Sequence, residues 1–254
     1  MFFNKLRFSV EKMGFQYSIF EYLKSLLFYN FILIIVAYFH KLQWQFIILL
    51  VLSIIVLLPF IIYAQFKYVY EFNRFNDLCL YLKQMIIQYK THHKINVALE
   101  KTLDAYDHQS QMVKSILNAS KAIQNGQSYQ EALKQIERRF PNRYIQKVHS
   151  YLILGEQIGG EHVYRALNNI DYESWQNDIL GFQKQKNTVR KTNIYFTVLS
   201  VTISLFCVMF FPQDLMEGLF TNLNFQILTW LYFEILIISH VLVTSGLSGK
   251  WGDE

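Results

Sequence analysis

The sequence predicts an all-α integral membrane protein in which four transmembrane helices flank one cytoplasmic six-helix bundle. Three observations predict it. Hydrophobic residues occupy 52% of the 254 positions and charged residues only 17%, a balance too apolar for a soluble domain of this length. Four apolar stretches approach or reach the roughly 20 residues that a helix needs to cross a bilayer. Between the second and third lies a long polar interval whose apolar residues recur every three or four positions, the helical period. With ten Gly and three Pro in the whole chain, little interrupts helix.

Residues 1–25 mix aromatic and basic side chains (Phe2, Phe3, Lys5, Arg7, Phe8, Lys12, Phe15, Tyr17, Phe20, Lys24), which suits an N-terminal segment lying in the membrane interface. They lack the small-residue site of a cleaved signal, so cleavage is not expected. The first hairpin occupies 26–66. Its first span covers Leu26 to Phe39, starting near Phe20, and its second covers Phe46 to Gln65, where Pro59 is positioned to kink the helix. The second hairpin occupies 194–243, with spans Ile194 to Phe211 and Phe225 to Val243 joined by a short link, and 244–254 form a tail.

Basic residues near membrane ends stay on the cytoplasmic side. The interval 67–193 holds 18 of them, whereas link 40–45 holds only Lys41 and link 212–224 holds none. Both termini and the polar interval are therefore expected in the cytoplasm. Lys184, Lys186, Arg190 and Lys191 form a run whose ordinary meaning is a solvated membrane-proximal face, with contact to anionic lipid headgroups as the other reading.

The interval reads as six amphipathic helices. The first carries Phe72, Phe75, Leu78, Cys79, Leu82, Met85 and Ile86; the second Ile95, Leu99, Leu103 and Tyr106; the third Met112, Val113, Ile116, Leu117 and Ile123, closing at Asn125-Gly126 with Gly126 as a left-handed cap. The fourth opens on the capping-box pattern Ser128-Tyr-Gln-Glu131, runs through Ala132, Leu133 and Ile136, and stops before Pro141. The fifth carries Tyr144, Ile145, Val148, Tyr151 and Leu152 up to Gly155; the sixth follows Gly159-Gly160 with Val163, Leu167, Ile170, Trp175 and Ile179, and its continuation into the third span is left open. Short turns between such helices make a bundle. If Tyr144, Tyr151 and Trp175 are exposed, they are available for subunit contacts.

Two ordered signatures stand about thirty residues apart: Gly126-Gln-Ser128-Tyr-Gln-Glu-Ala132-Leu133, then, beyond Pro141, Gly155-Glu156-Gln-Ile-Gly159-Gly160. In order, spacing and position between membrane helices, the segment from Phe75 to about Ile170 resembles the F domain of type II secretion and type IV pilus platform proteins. A single such domain, with spans on both sides, is most similar to the platform proteins of tight-adherence pili. The resemblance implies a plasma (inner) membrane scaffold without catalytic residues or cofactors. Its implied partners are a cytoplasmic secretion ATPase, pilin-like subunits, and a second related platform protein or another copy of the chain.

Read without the resemblance, Gly155 ends one helix tightly, Gly159 and Gly160 reverse the chain, and Glu156 accepts from backbone donors at the start of the sixth helix. Glu156 also has an open reading as a contact with a neighbouring subunit. Glu234 lies midway along the last span, where an ionisable group must face another helix or a wet crevice. Its partner is either another helix of this protein or the membrane segment of a pilin-like or paired platform subunit.

His92 and His93 are adjacent, so on a helix their rings diverge and do not share a tetrahedral metal; they read as solvated. Cys79 and Cys207 read as small apolar fillers. No phosphate-cradling Gly-x-x-x-x-Gly-Lys, nucleophile elbow, zinc motif or Cys-x-x-Cys occurs, so no enzyme, metal site or nucleic-acid partner is expected. A transporter or permease subunit is the alternative, with Glu234 and Pro59 as its only hints.

Overall fold

The computed structural model describes residues 2–106, 110–159, 161–210 and 212–246. Among them are eleven α-helices and no strand: α1 (Phe2–Lys12), α2 (Ile19–Phe39), α3 (Trp44–His92), α4 (Ile95–Leu103), α5 (Gln111–Gln124), α6 (Tyr129–Arg139), α7 (Arg143–Ile158), α8 (Glu161–Asn168), α9 (Tyr172–Phe210), α10 (Gln213–Thr221) and α11 (Leu223–Gly246). Four helices are long and apolar enough to cross a membrane. By contacts the described chain divides into two compact units, one of residues 2–69 and 183–246, the other of residues 70–182.

In the first unit, α2 starts on a capping box that sequence reading passed over. Ser18 Oγ accepts from Phe20 N at 3.1 Å, and Ser18 N donates to the Glu21 carboxylate at 3.2 Å, so two otherwise orphaned donors are satisfied reciprocally. The helix ends at His40, and Lys41 takes a left-handed φ of 48° that a residue with a Cβ adopts at a cost. Leu42 N closes the turn on Ala37 O at 3.1 Å. Leu6, Val10 and Tyr17 pack on Leu58 and Ile62 of α3, with Phe15, Tyr22, Leu26 and Phe66 around them. The N-terminal segment is therefore docked on the first hairpin through its apolar side. A second cluster joins Ala37, Leu42 and Leu50 to Phe233 of α11, with Trp230, Leu236 and Ile237 at its edge.

The two links at the far ends of the hairpins are tied by one side chain. Gln226, 0% exposed, accepts from Gln43 N at 2.9 Å and donates to Lys41 O at 3.2 Å and Phe220 O at 2.8 Å. An amide has an acceptor and two donors, and here all are used. The 212–224 link is itself partly helical, as α10, where only a short connection was expected.

Two spans extend as helix into the polar interval, the third by the continuation left open above. The second span and the first bundle helix are a single 49-residue helix, and Pro59 lies inside it without ending it. The third span likewise continues a helix that begins at Tyr172. The expected sixth bundle helix is instead two, α8 and the start of α9, separated at Asn169–Asp171. Asp171 Oδ1 accepts from Ser174 N at 3.2 Å, which gives α9 its own N-terminal cap and so favours a new start. The polar interval therefore contributes seven helical segments, not six.

In the second unit the apolar stripes face inward as the spacing predicts, with one rotation. On α5 the buried face is Met112, Ser115, Ile116, Ala119, Ser120 and Ala122, while Leu117 is exposed. Small side chains on that face let α4 and α6 approach, which hydropathy alone does not register. Tyr144 and Trp175, offered above as contact residues if exposed, are core: they are 8% and 7% exposed. Trp175 packs against Tyr144 at 5.1 Å and Phe75 at 5.3 Å between ring centroids.

Replacing Gln226 with Leu leaves Gln43 N, Lys41 O and Phe220 O without their shared partner. Lys41 and Gln43 are exposed, so the main cost is the orphaned buried carbonyl of Phe220, and a loss of about 1–3 kcal/mol is expected. Thermal unfolding of the detergent-solubilised protein measures it, and an unchanged midpoint would contradict the clamp.

Candidate functional site

Most of the signature residues that carry the family resemblance build the turns and contacts of the second unit. Gly126 adopts φ +85°, the left-handed cap expected of it. Ser128 Oγ accepts from Glu131 N at 3.2 Å and starts α6; Ala132 and Leu133 are fully buried. α6 ends at Arg139, ahead of Pro141, and Asn142 then caps α7 by accepting from Tyr144 N at 2.8 Å.

The second signature differs from its sequence reading at two positions. Gly155 does not end a helix: α7 runs through it to Ile158, and Gly159, with φ +66°, is the cap. The reason for a glycine at 155 is lateral. A Cβ there would collide with the hydroxyl of Tyr89 and come within 3.1 Å of Val163 Cγ1, so glycine lets α3 and α8 close on α7. Glu156 does accept from a helix start, but that of α4, not that of the sixth helix: Ile95 N donates to its Oε1 at 2.6 Å. Lys94, the N-cap residue of α4, offers no side-chain cap, so a carboxylate supplied from α7 satisfies the donor and faces the positive end of the helix. Gly160 lies outside the described residues.

Around this pair the ends of α3 and α7 and the starts of α4 and α8 converge. Tyr89 is buried, and desolvation, followed by the nearby Glu156 carboxylate, pushes its phenol up to about 12. His93 is not merely solvated. It takes a left-handed φ of 57° and hydrogen-bonds through Nδ1 to the Tyr164 hydroxyl, with its ring against that of Tyr164 at 5.0 Å. On the outer side of α7, Leu154 and Ile158 are 39% and 76% exposed. They leave an apolar surface beside the signature.

A buried polar relay in the same unit had no signal in the sequence. His149 is 1% exposed; its Nε2 pairs with the Tyr81 hydroxyl at 2.8 Å and its Nδ1 with Glu137 Oε1 at 2.8 Å. With Glu137 as acceptor, Nδ1 carries the proton and Nε2 receives that of Tyr81. Burial holds the imidazole below the ordinary histidine value, opposed by Glu137, and raises the Tyr81 phenol. Tyr81 stands 68 positions from His149, and Glu137 stands 12 from it on another helix, so no local motif could announce them. Burial also pushes the Cys79 thiol up to about 12, consistent with a packed, unreactive sulfur.

Along the spans, polar side chains pair between helices. Ser53 Oγ donates to Glu234 Oε1 at 2.6 Å, so Glu234 meets α3 of its own chain. Tyr232 and Ser200 hydroxyls lie 2.6 Å apart, His40 Nε2 is 3.0 Å from Ser204 Oγ, and Ser239 Oγ donates to Asn193 Oδ1 at 3.1 Å. Small hydroxyl residues in apolar helices were the available signal for these pairs. Among the described residues no group of three or more His, Cys, Asp or Glu could hold a metal ion. No family model, curated protein or solved structure matches the chain.

Two outcomes follow. Gly155→Ala should destabilise the second unit by about 1–3 kcal/mol through overpacking, and adding Tyr89→Phe should recover part of it; equal stability of Gly155→Ala and the wild type in denaturant would contradict the close approach. Because the folded His149 value lies below the unfolded one of about 6.5, protons bind the unfolded chain preferentially. The contribution of His149 to stability is intact above about pH 6.5 and is lost as pH falls below it. Limited proteolysis of residues 70–182 within the full chain between pH 7.5 and 5 should show this loss, with a shallower dependence in His149→Gln.

Proposed function

We propose that the chain is an inner-membrane platform subunit of a type II secretion or type IV pilus machine, closest to the tight-adherence branch. In this reading residues 70–182 face the cytoplasm and receive a secretion ATPase, and the spans hold pilin-like subunits as these enter a filament. A second related platform protein or another copy completes the assembly. The chain performs no chemistry of its own; the ATPase supplies the energy.

The observation that carries this reading is the continuity of α3 and α9. Each contributes residues to both units without an intervening loop, as a subunit that passes a displacement from an ATPase to its spans would require. The signature residues support it from the other side. Gly155 and Glu156 hold α3, α4, α7 and α8 together beside the exposed Leu154 and Ile158, which offers a partner a preformed surface. Glu234, Tyr232 and His40 of the spans are engaged with serines of neighbouring helices, an arrangement that favours a scaffold over a permease lined by free polar groups.

Affinity purification of the tagged full chain from its own cells, with mass spectrometry of the eluate, tests the proposal. A secretion-type ATPase should be recovered, and Ile158→Asp should reduce its recovery while leaving the unfolding midpoint unchanged, because that side chain is exposed. An eluate holding neither such an ATPase nor pilin-like subunits, or holding an ATP-binding-cassette subunit instead, overturns it.

A further inference from the structure

Where the spans meet the basic cluster, a recess opens between α3, α9 and α11. It measures about 240 Å³ and is lined by Ala64, Gln65, Tyr68, Val69, Arg190 and Thr244. Clefts that enclose whole drug-sized molecules measure roughly 300–1,000 Å³, so this one suits a single polar head. Its walls are of two kinds: Ala64 and Val69 are apolar, while Gln65, Tyr68, Arg190 and Thr244 bring donors.

Two of those donors lack a protein partner. Thr244 is 1% exposed, yet its hydroxyl has no hydrogen bond, a costly condition for a buried polar group. Arg190 sits in the recess with no carboxylate paired to it among the described residues, whereas the structure holds its neighbours in place. Tyr68 Oη accepts from Gln183 Nε2 at 2.8 Å and Asn187 Nδ2 at 3.0 Å, and Lys186 Nζ donates to Gly246 O at 2.9 Å. The walls are thus fixed around an unneutralised guanidinium and an unsatisfied hydroxyl.

The depth of the recess indicates what fills it. Gln65 closes the apolar run of α3, Arg190 stands four residues before the apolar run of α9, and Thr244 follows that of α11. In a bilayer those positions lie at the level of lipid phosphates, just beyond the hydrocarbon. We propose that the recess binds the phosphate of an anionic phospholipid headgroup, with Arg190 as its charge partner, the Thr244 hydroxyl as a hydrogen-bond donor, and Ala64 and Val69 against the glycerol and upper acyl carbons. Guanidinium forks suit phosphate oxygens. The proposal rests on the bilayer placement of the four apolar helices.

The full-length protein is inserted into nanodiscs of phosphatidylglycerol and phosphatidylcholine, released, and examined by native mass spectrometry. Wild type should retain phosphatidylglycerol in preference to phosphatidylcholine. Arg190→Gln should lower that retention about fivefold, the effect of one basic residue at a lipid surface. Thr244→Val should lower it about threefold, close to one hydrogen bond, and Thr244→Ser should keep it. Lys184→Gln, an exposed basic residue outside the recess, should change nothing.

Equal retention in wild type, Arg190→Gln and Thr244→Val overturns the site. So does an equal loss in Lys184→Gln, which would mean diffuse surface charge. Arg190-dependent displacement of the lipid by millimolar inorganic phosphate would assign the recess to a soluble anion and overturn the lipid assignment. Failure of the chain to enter nanodiscs would remove the bilayer placement itself, an outcome distinct from insertion without selective retention.

Discussion

Large apolar side chains on four helices have no protein to cover them. Phe28, Phe31, Val56, Phe196, Phe206, Leu228 and Ile235 are each more than half exposed, on helices long and apolar enough to cross a membrane. Water tolerates no such continuous surface at ordinary cost, and a bilayer does. Other features of the first unit follow from that constraint, because in hydrocarbon each polar group must find its partner within the protein.

The pairs across α2, α3, α9 and α11 are the response. Glu234 is satisfied by Ser53, Tyr232 by Ser200 and His40 by Ser204. Such contacts contribute individually little to helix association, but an unsatisfied group at the same depth would cost several kcal/mol, so their main effect is on which helix faces can meet. Gln226 does the same at the links, where the backbone leaves its helices and would otherwise keep bare donors and acceptors. At the opposite, basic end the Thr244 hydroxyl is unsatisfied, as are other buried polar atoms of the unit such as Asn30 Oδ1 and Trp230 Nε1; what sets this end apart is that the hydroxyl shares an open recess with Arg190.

In the second unit, glycine and carboxylate placement settle how the helices close on one another. Gly155 removes the volume that would hold α7 away from Tyr89 and Val163, and Glu156 supplies α4 with the cap its own sequence lacks. These two roles explain why a Gly-Glu pair stands here on structural grounds alone. They also place the pair next to an exposed apolar strip on the same helix, where a partner's surface could seat. The chain of buried Tyr81 and His149 with half-buried Glu137 adds directionality to a core otherwise held by shape.

Hydropathy and period were legible along one dimension of the chain. The four apolar helices, the all-helical class, the cap at Gly126, the start at Ser128 and the stop before Pro141 could be read from the residues alone, because each is decided within a turn or two. The sequence did not determine that Pro59 would be absorbed into one helix of 49 residues, that Asp171 would start a new helix, or that Gly155 would serve contact instead of termination. Nor could it pair Glu156 with Ile95, His149 with Tyr81 or Gln226 with two links. Those depend on which side chains meet across 60 to 185 residues of separation, and only tertiary packing sets that: a local pattern fixes a face, while the fold decides what the face meets.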